Sequence, residues 1–151
     1  MLRTFVRTFV VPPEAIDGVG HVNNLEYLRW MLDAASEHTA AQGWPVARYV
    51  EAGAGWVVRS HAIEYLRPAF AGETIALATW VAAMTRTRST RKYAFYRPAD
   101  DALLAQAQTL WVYVDFRTGR LIRIPDDMQA AFEVVPADAD ALASLRAGWT
   151  A

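Results

Sequence analysis

The chain has 151 residues and a net charge of −1, from 15 Lys and Arg against 16 Asp and Glu. That length suits one domain with a sizeable core, and 54% hydrophobic residues exclude a disordered chain. The balanced charge lacks the basic excess of a general nucleic-acid binder. With no cysteine, a disulfide scaffold, a Cys-ligated zinc, an iron–sulfur cluster and a Cys nucleophile are all excluded.

Three histidines, His21, His38 and His61, leave little room for a His-ligated catalytic zinc. The opening MLRTFVRTFVVPPE carries Arg3 and Arg7 without an apolar h-region or a small-residue cleavage site, so no signal peptide is expected. No uncharged apolar run reaches about 18 residues. The expectation is a cytoplasmic protein with no membrane and no nucleic-acid partner.

Taken in chain order, residues 2–11 are β-branched and aromatic and end at Pro12-Pro13, which predicts a strand. A loop with Gly18 and Gly20 follows. Residues Asn24–Gln42 form the one strong helix. Its charged residues Glu26, Arg29, Asp33 and Glu37 fall on one narrow stripe, so the apolar arc is broad and must be covered on most sides. Asn23 with Glu26 makes a capping-box pattern, and Val22 with Tyr27 a hydrophobic staple. Gly43 stands where a C-terminal glycine is expected. Trp30, near the polar stripe, is read as a subunit contact rather than core.

A short irregular stretch leads into strands near 55–66, 73–85, 88–97 and 102–116, separated by the turns 67–72 and 98–101. Pro125 opens a short helix, and residues 137–149 have weak helical character. The order strand, long helix, four long strands predicts one antiparallel sheet curled around one helix, an α+β class.

The segment Asp17-Gly18-Val19-Gly20-His21-Val22-Asn23-Asn24 carries the chemistry. A carboxylate and an imidazole occupy a glycine-bearing loop just before a helix N-terminus. The Asn24 N–H has no intrahelical partner, and such a donor favours developing negative charge. A base beside an oxyanion-stabilising N–H is a hydrolytic arrangement. The same residues also serve as loop and cap residues, with Asp17 satisfying backbone N–H groups.

The string D-x-x-G-H-V-N-N-x-x-Y-L-x-W after a first strand resembles the hot-dog fold acyl thioesterases. The resemblance is greatest to the 4-hydroxybenzoyl-CoA-thioesterase-like acyl-CoA hydrolases and the related acyl-ACP thioesterases. Residues 63–73 (IEYLRPAFAGE) and Thr118-Gly119-Arg120 through Ile124-Pro125 support it, over roughly residues 4–132. Ala15 and Val19 depart from the pattern, and no Cys follows the Glu64-Tyr65 pair, so a Cys-based route is out. The resemblance implies one hot-dog domain over residues 1–151, a long central helix wrapped by a five-stranded antiparallel sheet, with a core about 4–132 and a short tail.

It also implies hydrolysis of acyl-CoA to free acid and coenzyme A. Asp17 would activate water or attack the carbonyl, the Asn24 N–H would hold the oxyanion, and His21 would orient Asp17 or the water. Glu64 is the competing carboxylate. Tyr27 would line the acyl pocket or belong to the core. Arg88, Arg91 and Lys92, with Arg86, Arg120 and Arg123 nearby, would hold the coenzyme phosphates. Strand alternation puts Arg88 and Lys92 on one face and Arg91 on the other. No metal and no cofactor is implied beyond coenzyme A in the substrate, and the chain is expected as a homodimer or homotetramer. An acyl carrier protein thioester, a non-catalytic acyl-CoA-binding module and a hot-dog dehydratase are the alternatives.

Overall fold

The computed structural model describes residues 3–150, with side chains placed for residues 3–143 and residue 145. Five strands form one antiparallel sheet: β1 (Thr4–Val10), β2 (Ala54–Tyr65), β3 (Thr74–Met84), β4 (Arg88–Arg97) and β5 (Ala102–Asp115), in the order β1-β3-β4-β5-β2. The long helix α1 (Asn24–Ala41) crosses one face. Three further α-helices among the described residues are α2 (Val46–Ala52), α3 (Asp126–Ala130) and α4 (Asp138–Thr150). The predicted α+β class, strand number and helix limits agree with this architecture. Among the described residues, no helix is long and apolar enough to cross a membrane.

The ends of α1 follow from local chemistry. Asn23 is extended, and its side-chain oxygen accepts the Leu25 N–H at 2.9 Å, as an N-cap should. Only half of the capping box forms, because the Asn23 N–H donates to Ala15 O at 2.8 Å instead of to Glu26. At the other end Trp44 N–H reaches Thr39 O and Gly43 N–H reaches Ala40 O, both at 3.0 Å, the two bonds of a Schellman motif.

The apolar arc of α1 packs on side chains from β1, β3, β4 and β5: Tyr27, Met31, Ala34 and Ala35 lie among Ile75, Leu77, Tyr93, Phe95, Leu104 and Ala105. Trp30 belongs to this core, not to a surface contact. It is 7% exposed and lies against Phe9, Tyr27 and Phe95, because β1 brings Phe9 over the margin of the stripe. The stripe itself is used within the chain, where Arg7 of β1 pairs with Asp33 and Glu37. Register shifts at Val58/Ser60, Val81/Ala83 and Phe95/Tyr96 bend the strands.

One element departs from the sequence expectation, and the tail, helical as expected, takes a structural role. The predicted irregular stretch contains α2, a helix with no buried residue and no side-chain cap. Arg48 ties it down, stacked 3.5 Å over the Trp44 ring and paired with Asp127 at 2.8 Å. The tail is a structural element as well: α4 covers the outer face of the sheet, where Ala141 and Leu145 pack with Ala76, Ala78, Trp80, Ala94 and Tyr96. Three alanines on that face let the helix approach closely.

Gly55 of β2 is one point where α2 touches the sheet. A Cβ there would lie 2.7 Å from the Phe116 ring and 3.0 Å from the Tyr49 ring. Gly55→Ala is therefore expected to lift α2, costing about 1–3 kcal/mol as overpacking does. Hydrogen exchange should accelerate in residues 46–52 and not in α1; an unchanged exchange pattern would show that α2 is not seated on Gly55.

Candidate functional site

The loop preceding α1 is closed by an antiparallel bridge between Ile16 and Val22. Inside it the Asp17 N–H donates to His21 O at 2.7 Å and the Gly20 N–H to Asp17 O at 3.2 Å. Asp17 Oδ1 accepts the backbone N–H groups of Val19 at 2.9 Å and His21 at 3.2 Å. Gly20 has φ of +87°, a conformation that favours glycine. Asp17 Oδ2 has no hydrogen-bond partner among the described residues, which leaves one carboxylate oxygen for other work.

The loop is pinned from two sides. Val22 N–H donates to Ala69 O at 2.9 Å and Asn23 N–H to Ala15 O, while Ala15, Val22 and Ala69 are all buried. The 68–73 turn that supplies Ala69 is clamped by Arg97, which bonds Pro68 O, both carboxylate oxygens of Glu73, and Asp100. The Asn24 N–H finds no acceptor among the described residues. The Asn24 carbonyl accepts the Tyr65 hydroxyl at 3.2 Å. A carboxylate oxygen of the loop and a first-turn amide of α1 thus stand seven residues apart on a segment pinned from two sides.

The other predicted residues are placed as follows. His21 holds Asp17 through its backbone amide; its imidazole is exposed and lies edge-on to Phe70 at 5.4 Å. Tyr27 is core, 3% exposed among Trp30, Tyr65 and Phe95, and burial pushes its hydroxyl up to about 12. Glu64 lies on the far face of the sheet, with Gln106 Nε2 at 3.5 Å, while its neighbour Tyr65 turns toward α1. Strand alternation therefore separates Glu64 from the Asp17 loop within one protomer.

The basic group does not form one surface. Arg88 is exposed. Lys92 lies on the outer face and pairs with Asp138 of α4 at 3.0 Å, at the edge of a polar groove that also takes in Glu64, Gln106 and Gln108. Arg91 corrects the expectation outright. It is 5% exposed, beneath α1, and donates to His38 Nδ1 at 2.9 Å and Thr79 Oγ1 at 3.1 Å. An odd position of β4 faces the helix, so this guanidinium cannot reach a phosphate on the outer surface. Instead the β3–β4 turn meets the 120–124 segment, where Ile124 N–H donates to Arg86 O at 2.7 Å. That contact brings exposed Arg86, Arg88 and Arg123 to one end of the sheet.

Arginine only donates, so His38 Nδ1 is an acceptor and the imidazole is neutral with its proton on Nε2. Burial pushes the Arg91 guanidinium down from its ordinary value, against the pull of Tyr93 and Tyr49. Arg91 also lines a cavity of about 520 Å³ between the C-terminal half of α1, α2 and the sheet. This cavity goes beyond what the sequence motifs announce. One signal was available: His38 falls three and four residues after Ala35 and Ala34, on the apolar arc of α1. Among the described residues no group of acids and histidines could hold a metal ion.

The sequence matches the thioesterase-like superfamily over residues 11–132. Over 81 residues it is 31% identical to a chloroplast acyl-[acyl-carrier-protein] hydrolase of Cuphea viscosissima, a match that covers 54% of this chain and only 19% of that protein. The fold is similar to the 1,4-dihydroxy-2-naphthoyl-CoA thioesterase of Synechocystis, with a TM-score of 0.79 and 20% identity over 85% of this chain and 94% of that one. It is also similar to an aspartate-to-asparagine variant of 4-hydroxybenzoyl-CoA thioesterase complexed with 4-hydroxybenzoyl-CoA (TM-score 0.78, 21% identity, 86% and 99% covered). A Staphylococcus aureus protein solved with CoA gives a TM-score of 0.80 at 15% identity, with 87% and 83% covered.

The clamp on the 68–73 turn is testable. Arg97→Met removes charge-assisted bonds and should lower stability by about 1–3 kcal/mol, read by denaturant unfolding. Hydrogen exchange at Val22 should accelerate with it. A destabilised variant with unchanged protection at Val22 would show that the turn is not what pins the loop.

Proposed function

Because the chain belongs to the thioesterase-like superfamily, we propose that it hydrolyses acyl thioesters of coenzyme A at the Asp17 loop. The observation that carries this reading is that an Asp17 carboxylate oxygen in the loop and the Asn24 N–H at the start of α1 both lack a hydrogen-bond partner among the described residues. A thioester suits so sparse a site. The leaving thiol has a pKa near ~8.5, so no strong general acid is needed. Asp17 supplies the base or the nucleophile, and the Asn24 amide with the α1 dipole stabilises the oxyanion. His21 contributes through its amide, which holds the Asp17 carboxylate in place.

The substrate spans more than one protomer in this reading. The Asp17 loop lies beside the start of β3, while Arg86 and Arg88 flank its end. The ten steps along the eleven residues of β3 cover roughly 33 Å at ~3.3 Å each, so both ends serve one thioester only if two copies contribute. Among the described residues the outer edge of β2 pairs with no strand and is largely exposed, an invitation to chain pairing. A homodimer is therefore part of the proposal. Acyl carrier protein in place of coenzyme A is the second reading, favoured by the Cuphea match.

Asp17→Asn should reduce hydrolysis of acyl-CoA by at least about 10²-fold, the low end of what a positioned catalytic group contributes, with an unchanged melting curve. Glu64→Gln should leave turnover intact. Full activity in the first variant and loss in the second would reverse the assignment.

A second test concerns the phosphates. Neutralising Arg86, Arg88 and Arg123 should raise KM for acyl-CoA with kcat nearly constant, the pattern of lost uniform binding. The effect should be absent for an acyl-pantetheine. Equal effects on both substrates would remove these residues from coenzyme recognition. Arg91→Met should not reproduce the split.

A further inference from the structure

We propose that the cavity beneath the C-terminal half of α1 is a second binding site, which takes a free carboxylic acid with an apolar body and pairs its carboxylate with Arg91. This site lies apart from the Asp17 loop. Its lining contains no residue before Ala35, and Ala35 is eleven residues along α1 from Asn24, roughly 16 Å at 1.5 Å per residue. The proposal does not depend on the hydrolytic reading.

The walls are those of a ligand site. A volume of about 520 Å³ falls within the range of small-molecule pockets. Trp44, Tyr49, Trp56, Val81, Trp111 and Phe132 supply apolar and aromatic surface. Among the described residues of that lining Arg91 is the one basic residue. The one acidic residue, Glu37, is engaged with Arg7 at 3.4 Å.

Arg91 itself asks for an anion. Its guanidinium has five N–H groups in a planar fork that matches a carboxylate. Here its partners are a neutral imidazole, a hydroxyl and the face of Phe132 at 5.9 Å. No carboxylate of the described residues comes within ion-pair distance of it. Proteins rarely bury a cation in this way without a counter-charge. The carbonyl end of α1 offers only a fraction of one.

Access runs past α2. Val46, Tyr49 and Val50 of this helix line the cavity, the two valines are each 69% exposed, and α2 buries none of its residues. An apolar body would cover these side chains as it entered, with the carboxylate leading toward Arg91.

The test uses the full-length protein and its own fluorescence, since Trp44, Trp56 and Trp111 all line the cavity. Sodium decanoate and 1-decanol are titrated separately, with calorimetry as the second measure. The wild type should bind decanoate saturably and at least about tenfold more tightly than decanol, as expected when a charge-assisted pair is gained. Arg91→Met should lose that preference and bind the two probes alike. Arg91→Lys, which keeps the charge, should retain part of it, and it decides the matter should the methionine variant not fold. Asp17→Asn should bind decanoate as the wild type does.

Equal affinity for both probes in the wild type would overturn the proposal. So would an unchanged preference in the Arg91 variants, no saturable binding of either probe, or loss of decanoate binding in Asp17→Asn. The last result would place the acid at the Asp17 loop. Failure of Asp17→Asn to affect hydrolysis would leave this proposal standing, because it concerns the other end of the helix.

Discussion

The charged residues of α1 run along a single stripe, and the opposite face, with Tyr27, Trp30, Met31, Ala34 and Ala35, must be taken out of water. A helix of 18 residues with so broad an apolar arc has one partner long enough to cover it, the sheet. Most of the architecture is a consequence. The strands run from 7 to 14 residues, and their register shifts bend them over the helix. Even the polar stripe is drawn in, through Arg7, which bridges β1 to Asp33 and Glu37. Exposed pairs of this kind add little energy, so the burial of Met31, Ala34 and their neighbours supplies the stability.

The same constraint fixes the chemistry at the N-terminus of α1. Once Tyr27 and Met31 are seated, the first turn has little freedom, and Val22 and Asn23 are held by Ala69 and Ala15. Asp17 is then carried on a five-residue loop whose own amides hold one carboxylate oxygen. The loop is built from residues with strong local preferences: Asn at the cap, Gly at a positive φ, Asp accepting amides just ahead of it. Such preferences act over a few residues, which is why this part of the molecule was legible in the sequence. The ends of α1 and the turns between β2, β3, β4 and β5 were legible for the same reason.

What was hidden depends on contacts between distant segments. The helix α2 buries nothing of its own, so no periodicity announced it; Arg48, Trp44 and Asp127 hold it from outside. Trp30 looked peripheral until β1 placed Phe9 against it. Arg91 stands in the run RSTRK, which reads as a solvated hairpin. Alternation separated it from Lys92, yet only α1 overhead and Thr79 on β3 make its face an interior. The docking of α4 rests on alanines at positions 76, 78 and 94, which are ordinary strand residues until a helix needs the room.

The direction of α1 also explains why the two ends of the molecule carry opposite chemistry. Helix dipoles favour negative charge at the N-terminus and positive charge at the C-terminus, by about 0.3–1 kcal/mol in exposed settings. The N-terminus presents free amides beside the Asp17 loop, where an oxyanion would develop. The last turn presents His38, whose Nδ1 accepts from Arg91. A neutral imidazole and a partial negative charge offset only part of the several kcal/mol that burying a guanidinium costs. Thr79 and the Phe132 face add to that support without supplying a counter-ion. The packing of α1 against the sheet thus orders an anion-stabilising loop at one end. At the other it leaves a cation incompletely neutralised beside an apolar cavity.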